Sequence, residues 1–90
     1  MKTGTRPTQE EFLARRSLLM ADLALNRLTL AETVKRCRHC VGASQSDYAK
    51  MTGVPVRIIS SIEQGKGNPT LSTLERLGKP FKLGLAFKPV

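Results

Sequence analysis

The sequence predicts an all-α fold of five helices followed by a single β-strand at the C-terminus. Three observations predict it. Thr or Ser stands three residues ahead of Glu or Asp at Thr8/Glu11, Thr29/Glu32 and Ser44/Asp47, the spacing of a capping box that opens a helix. Apolar residues recur at helical intervals through most of the chain. From Phe81 to Lys88 the period changes from 3.6 to 2.

The 90 residues suit one domain, and a 40% apolar content suffices for a small core. A domain of this size buries only about 60% of its unfolded-chain surface, so it is expected to gain from a second copy of itself.

Residues 1–7 (MKTGTRP) are small, polar and broken by Gly4 and Pro7, as a flexible N-terminus would be. Residues 8–28 form an N-terminal helix that begins at Thr8 and runs to about Asn26, with Phe12, Leu19 and Leu23 at helical intervals and Leu13 and Met20 beside them. The second helix opens at Thr29, carries Val34, Arg38 and Val41 on one face, and stops at Gly42. A third, from Ser44 to residue 52, ends at Gly53, where a residue without Cβ permits a left-handed turn.

Pro55 fits the first turn of a fourth helix over 55–64, whose missing N–H costs nothing there. Ile59 and Ile62 form its inward stripe, and Gly65 follows its end. Lys66 to Pro69 read as a loop. Leu71, Leu74 and Leu77 mark a fifth helix, stopped by Gly78 and Pro80 and closing a unit that spans 29–78. In the tail, 79–90, Phe81, Leu83, Leu85 and Phe87 fall on one face of the expected strand. One strand cannot satisfy its own backbone hydrogen bonds, so it is expected to pair with the same strand of a second copy, those four residues forming the dimerisation face.

Fifteen Lys and Arg against seven Asp and Glu give a net charge of +8, which points to a polyanionic partner. The charge is divided evenly: residues 1–43 and 44–90 each carry a net +4, so there is no basic tail to set apart. The longest apolar stretches are far shorter than the roughly 20 residues of a membrane span, and no signal-peptide pattern opens the chain. A protein of the cytoplasm, without membrane contact, is therefore expected. Two cysteines make no disulfide framework.

The block from Arg38 to Thr70 is the most informative. Two short helices joined by a tight turn at Gly53 and Val54, with small Ala49 four residues before the glycine, have helix-turn-helix geometry. The order Ser44-Gln45, Ala49, Gly53-Val54, Ile59, Ile62-Glu63, Gly65 closely resembles the Xre family, the lambda-repressor-like and Cro-like helix-turn-helix proteins. Arg38, Val41-Gly42 and Asn68-Pro69-Thr70-Leu71 fit the same pattern, and the resemblance covers about residues 29–77. It implies a helix-turn-helix bundle, here with an extra N-terminal helix and a C-terminal dimerising strand, that docks on double-stranded DNA as a two-fold dimer. The second helix of the motif would enter the major groove.

The resemblance assigns DNA-binding positions to Ser44, Gln45, Val56, Arg57, Ser60, Ser61, Lys66, Asn68 and Thr70. Val56, Arg57 and Ser61 match base-reading positions, with Ser60 beside them. Gln45 matches a glutamine that grips phosphate or a neighbouring base-reading side chain, and Lys66, Asn68 and Thr70 lie in a loop that follows the backbone. The chemistry agrees: a guanidinium at Arg57 can bond G O6 and N7 together, whereas valine and serine read less sharply. Arg38 and Glu63 match a pair that forms a salt bridge in this family. Pro55 stands where Ser or Thr is usual, so readout is expected to lean on Arg57, on thymine methyls through Val56 and on DNA shape.

Competing functions have less to build on. Cys37, His39 and Cys40 lack the further ligands a structural zinc site needs, so no metal and no cofactor are expected. A phosphate-cradling loop is absent, His39 is the single imidazole, and the carboxylates Asp47, Glu63 and Glu75 have helix-structural explanations, which argues against an enzyme. RNA binding is weakened by the four scattered aromatic residues. The alternative carried forward is an antitoxin that binds a toxin protein and autorepresses its operon, since that branch of the family also resembles this chain in its apolar C-terminal strand.

Overall fold

The computed structural model describes residues 6–89, which form five α-helices: α1 (Gln9–Ala24), α2 (Leu30–Cys40), α3 (Gln45–Thr52), α4 (Val56–Glu63) and α5 (Leu71–Gly78). A 3-10 turn over Lys79–Phe81 follows. The expected lead-in over 1–7 lies largely outside the described residues.

Local chemistry sets the helix starts. Thr8, Thr29 and Ser44 each accept a hydrogen bond from the N–H three residues on, and Glu11, Glu32 and Asp47 accept one back from the capping residue's N–H. The backbone N–H of Thr8 and of Thr29, and secondly their hydroxyls, hold the Glu11 and Glu32 carboxyls below their ordinary pKa. Thr70 caps α5 through the Thr73 N–H. Pro55 sits one position earlier than its expected place in the first turn: it is the N-cap of α4, its side chain makes no capping bond, and its carbonyl accepts from Ile58 and Ile59.

Left-handed residues end the helices. Asn26, Gly42 and Gly65 each follow a Schellman closure, as in Arg27 N–H to Asp22 O, Ala43 N–H to Arg38 O and Lys66 N–H to Ser61 O. Gly53, at φ 75°, ends α3 and turns the chain toward α4. A Cβ there would meet nothing within 4 Å, so the cost of Gly53→Ala is backbone strain alone. The expected result is a loss of about 1–2 kcal/mol in urea unfolding with an unchanged m-value.

Helix α2 is central. It packs between α1 and α4 and also meets α5. Leu19 of α1, Val34, Cys37 and Cys40 of α2, Tyr48 of α3, Val54, Ile59, Ile62, Leu77 and Phe81 form one buried cluster. Tyr48 is fully buried, and its hydroxyl donates to the Leu77 carbonyl at 2.6 Å, tying α3 to the end of α5. That phenol satisfies a carbonyl at a helix end that would otherwise be orphaned in the core.

The C-terminal strand expected from the sequence is not formed: the described residues are helical or irregular, with no strand among them. The all-α helix-turn-helix bundle stands without its dimerising β-strand. The alternation from Phe81 to Phe87 arises in another way. α5 ends at Gly78, but this glycine keeps a right-handed conformation and leads into the 3-10 turn. The chain reverses at Lys82, a left-handed residue at φ 56°, where Leu83 N–H closes on Gly78 O at 3.0 Å. A Cβ on Gly78 would lie 3.0 Å from that Leu83 carbonyl, so this glycine serves a close approach and not a left-handed turn.

The closure swings Phe81 inward, where it is 3% exposed and stacks on Phe12 of α1 at a centroid distance of 6.3 Å. Leu83 packs against the same core. Leu85 lines an apolar groove of about 330 Å³ between α1, α2 and α5, and Phe87 is fully exposed. Phe81 is thus inside the fold, Leu83 and Leu85 line the groove, and Phe87 faces solvent. A residue sinks into a nearby core more readily than it waits for a partner strand, because burying a phenylalanine intramolecularly carries no association entropy.

Candidate nucleic-acid interface

Helices α3 and α4 are joined by Gly53, Val54 and Pro55, with Val54 buried beneath the turn. Ile59 and Ile62 anchor α4 on the core, leaving Val56 and Arg57 exposed at its N-terminal end and Ser60 and Ser61 half-buried along its side. These four residues share the outward side of one helix, as expected. The same side continues to exposed Gln64, whose amide donates to Ser60 Oγ at 3.2 Å. Sequence reasoning passed over Gln64, although its i+7 spacing from Arg57 places it there.

The C-terminal end of α4 is clamped from two sides. Glu63, with a side chain 3% exposed, accepts from Arg38 Nε at 2.9 Å and from Arg38 Nη2 at 3.0 Å, a two-point pairing. Gln45 Nε2 donates to Glu63 Oε1 at 3.1 Å, and Arg38 Nη1 reaches the Ala43 carbonyl at 3.2 Å. One carboxylate thus joins α2, the α2–α3 loop, the first residue of α3 and the end of α4. The salt bridge implied by the resemblance is formed. Gln45 is occupied with Glu63.

The remaining candidates surround this unit. Ser44 uses its hydroxyl to cap α3. Lys66 and Asn68 are exposed in the loop after α4, which folds back so that a Cβ on Gly67 would lie 3.8 Å from Ser61 Cβ. Thr70 caps α5, and its hydroxyl also donates to Thr73 Oγ1. The structure brings Val56, Arg57, Ser60 and Ser61 together, with Lys66 beside the C-terminal end of that row.

Electrostatics separate two sets of cations. Arg27 and Arg36 pair with Asp22, and Arg38 pairs with Glu63. Arg57 and Lys66 have no carboxylate within ion-pair distance among the described residues. Their charge is uncompensated and faces solvent, the arrangement that attracts a phosphate backbone.

The Cys37, His39 and Cys40 cluster divides between two environments. Both thiols are buried in the core, whereas His39 is exposed. Burial, and secondly the neighbouring Cys40 thiol, push Cys37 up to about 12, and burial raises Cys40 as well. Thiols so protonated behave as small apolar core residues.

A family model described as Helix-turn-helix matches residues 41–87, which include all of α3, α4 and α5. No curated protein and no solved structure matches the chain. No helix among the described residues is long and apolar enough to cross a membrane.

Proposed function

Because the chain belongs to the Xre, lambda-repressor-like family of helix-turn-helix DNA-binding proteins, we propose that it represses transcription by binding a palindromic double-stranded DNA operator as a homodimer. The observation that supports this best is the state of α4. Its C-terminal end is held by the Glu63 clamp, while its N-terminal half presents Val56 and unpaired Arg57 to solvent. A rigid helix with a free guanidinium at its leading end suits the major groove, where Arg bonds G O6 and N7 together.

In this function Arg57 discriminates a guanine, Val56 meets a thymine methyl, and Ser60, Ser61 and Gln64 offer polar contacts further along. Lys66, Asn68 and Thr70 set the register on the phosphates. Gln45 acts through Glu63 on the position of α4. The C-terminal strand that slightly favours an antitoxin is not formed among the described residues.

Gel shifts on the DNA immediately upstream of the coding region, with salt varied, test the proposal. Arg57→Ala is expected to weaken operator binding by about 1–3 kcal/mol and to relax preference at one base pair per half-site. Lys66→Ala is expected to weaken all sequences alike and to lower the salt slope by about 1. Equal losses on operator and random DNA for Arg57→Ala would remove Arg57 from the reading role.

A further inference from the structure

The groove between α1, α2 and α5 is left open by the fold. Leu23, Leu28, Val34, Leu74, Leu77 and Leu83 make its walls, and Leu30 and Leu85 stand on its lips, 45% and 47% exposed. At about 330 Å³ it is concave, mostly apolar and at the small end of the range of ligand sites. Among the described residues no Asp or Glu lines it, and Lys88 is its one charged member. The tail places that lysine against the hydrophobic preference. Phe87 is fully exposed, whereas Lys88, the next residue, borders the groove. Burial alone favours the reverse order. A lysine stem can cover apolar wall while its ammonium stays at the mouth, so the arrangement sets a cation where an apolar cavity meets water.

We propose that this groove binds a free medium-chain fatty acid, its alkyl chain along the leucines and its carboxylate at Lys88. Charge complementarity selects the head group. Lys88 has no carboxylate within ion-pair distance among the described residues. The segment from Arg76 to Pro89, which closes one side of the groove, carries Arg76, Lys79, Lys82 and Lys88 and no Asp or Glu. An anion arriving there meets attraction and no opposing charge from that segment.

Size selects the rest of the molecule. The volume suits one alkyl chain and leaves little room for a polypeptide segment, which needs a row of anchor sites spaced along a longer trough. The exposed lips then have a purpose, since an alkyl chain laid between Leu30 and Leu85 removes both from water. The bound acid touches the end of α1, the start of α2, the end of α5 and the tail, and so favours the folded chain by mass action. No residue of α4 lines the groove, so the acid and DNA occupy separate surfaces. The site does not depend on the regulator proposed above.

Isothermal titration of the full chain with octanoate, decanoate and dodecanoate, below their micelle concentrations, tests this. One saturable site is expected, tightening about three- to fourfold per added methylene until the groove is full. Leu30→Glu and Leu85→Glu, both at exposed positions, should keep the wild-type circular dichroism and weaken decanoate roughly tenfold or more, because a charge then faces the alkyl chain. Lys88→Glu should weaken decanoate roughly tenfold and leave decanol unchanged, since only the acid carries a charge. Lys50→Glu makes the same change of net charge at an exposed position of α3 outside the groove and should bind decanoate as wild type does. Equal weakening by Lys50→Glu overturns the inference, as does an affinity that ignores chain length or Leu85→Glu. So does a wild-type chain that binds no decanoate, that binds phosphatidylglycerol vesicles instead, or that sediments as a dimer which decanoate takes apart. The regulator stands or falls on the gel shifts, a separate measurement.

Discussion

Arg38→Ala is expected to destabilise the domain by about 3–5 kcal/mol, because it removes the cation from a carboxylate that stays buried. Glu63 is 3% exposed at its side chain, so water cannot replace the lost guanidinium without opening the α2–α4 contact. A native domain of this size has only about 5–13 kcal/mol in total, so the loss is a large share of it. Urea unfolding of the variant would measure the effect. Replacing both partners by leucine should recover much of the loss, since two apolar residues need no compensation.

The DNA readout separates stability from positioning. In the double-leucine variant Gln45 has lost its acceptor and α4 its two-point clamp, so operator preference should fall even where the fold recovers. A loss below 1 kcal/mol in Arg38→Ala would mean that the pair behaves as a screened surface bridge. The geometry argues otherwise, with three donors converging on one carboxylate at 2.9–3.1 Å.

Phe81→Ala is expected to cost about 3–5 kcal/mol and to lower the thermal midpoint irrespective of protein concentration. The ring is 3% exposed and stacked on Phe12, so its removal opens a cavity between α1 and the end of α5. Phe87→Ala, at a fully exposed ring, should stay within about 0.5 kcal/mol of wild type. Had both rings belonged to one intermolecular strand, the two variants would act alike and their effect would depend on concentration. Thermal unfolding at two protein concentrations distinguishes these outcomes.

Much of the candidate site was legible before the fold was known. Arg57, Val56 and the serines follow from a helix whose inward stripe is Ile59 and Ile62, because spacing alone places them opposite. The Glu63 clamp was legible as a pair with Arg38 only through the resemblance to the family. The third partner, Gln45, was not, since its spacing of 18 residues from Glu63 carries no periodic signal. The burial of Tyr48 was not legible either. Its burial depends on the Leu77 carbonyl, 29 residues away, which gives the phenol a bond inside the core.

The sequence by itself determined the helices and most of their boundaries. Capping boxes at Thr8, Thr29 and Ser44, and left-handed glycines at Gly42, Gly53 and Gly65, act over three to six residues, within the range of local chemistry. Only the tertiary structure decided the tail. A period of two in Phe81 to Phe87 is a pattern of sides, not of partners, and it says nothing about which surface is nearest. Once α5 had docked, Phe12 and the core stood within reach of Phe81, and burial there outweighed the strain of turning left-handed at Lys82.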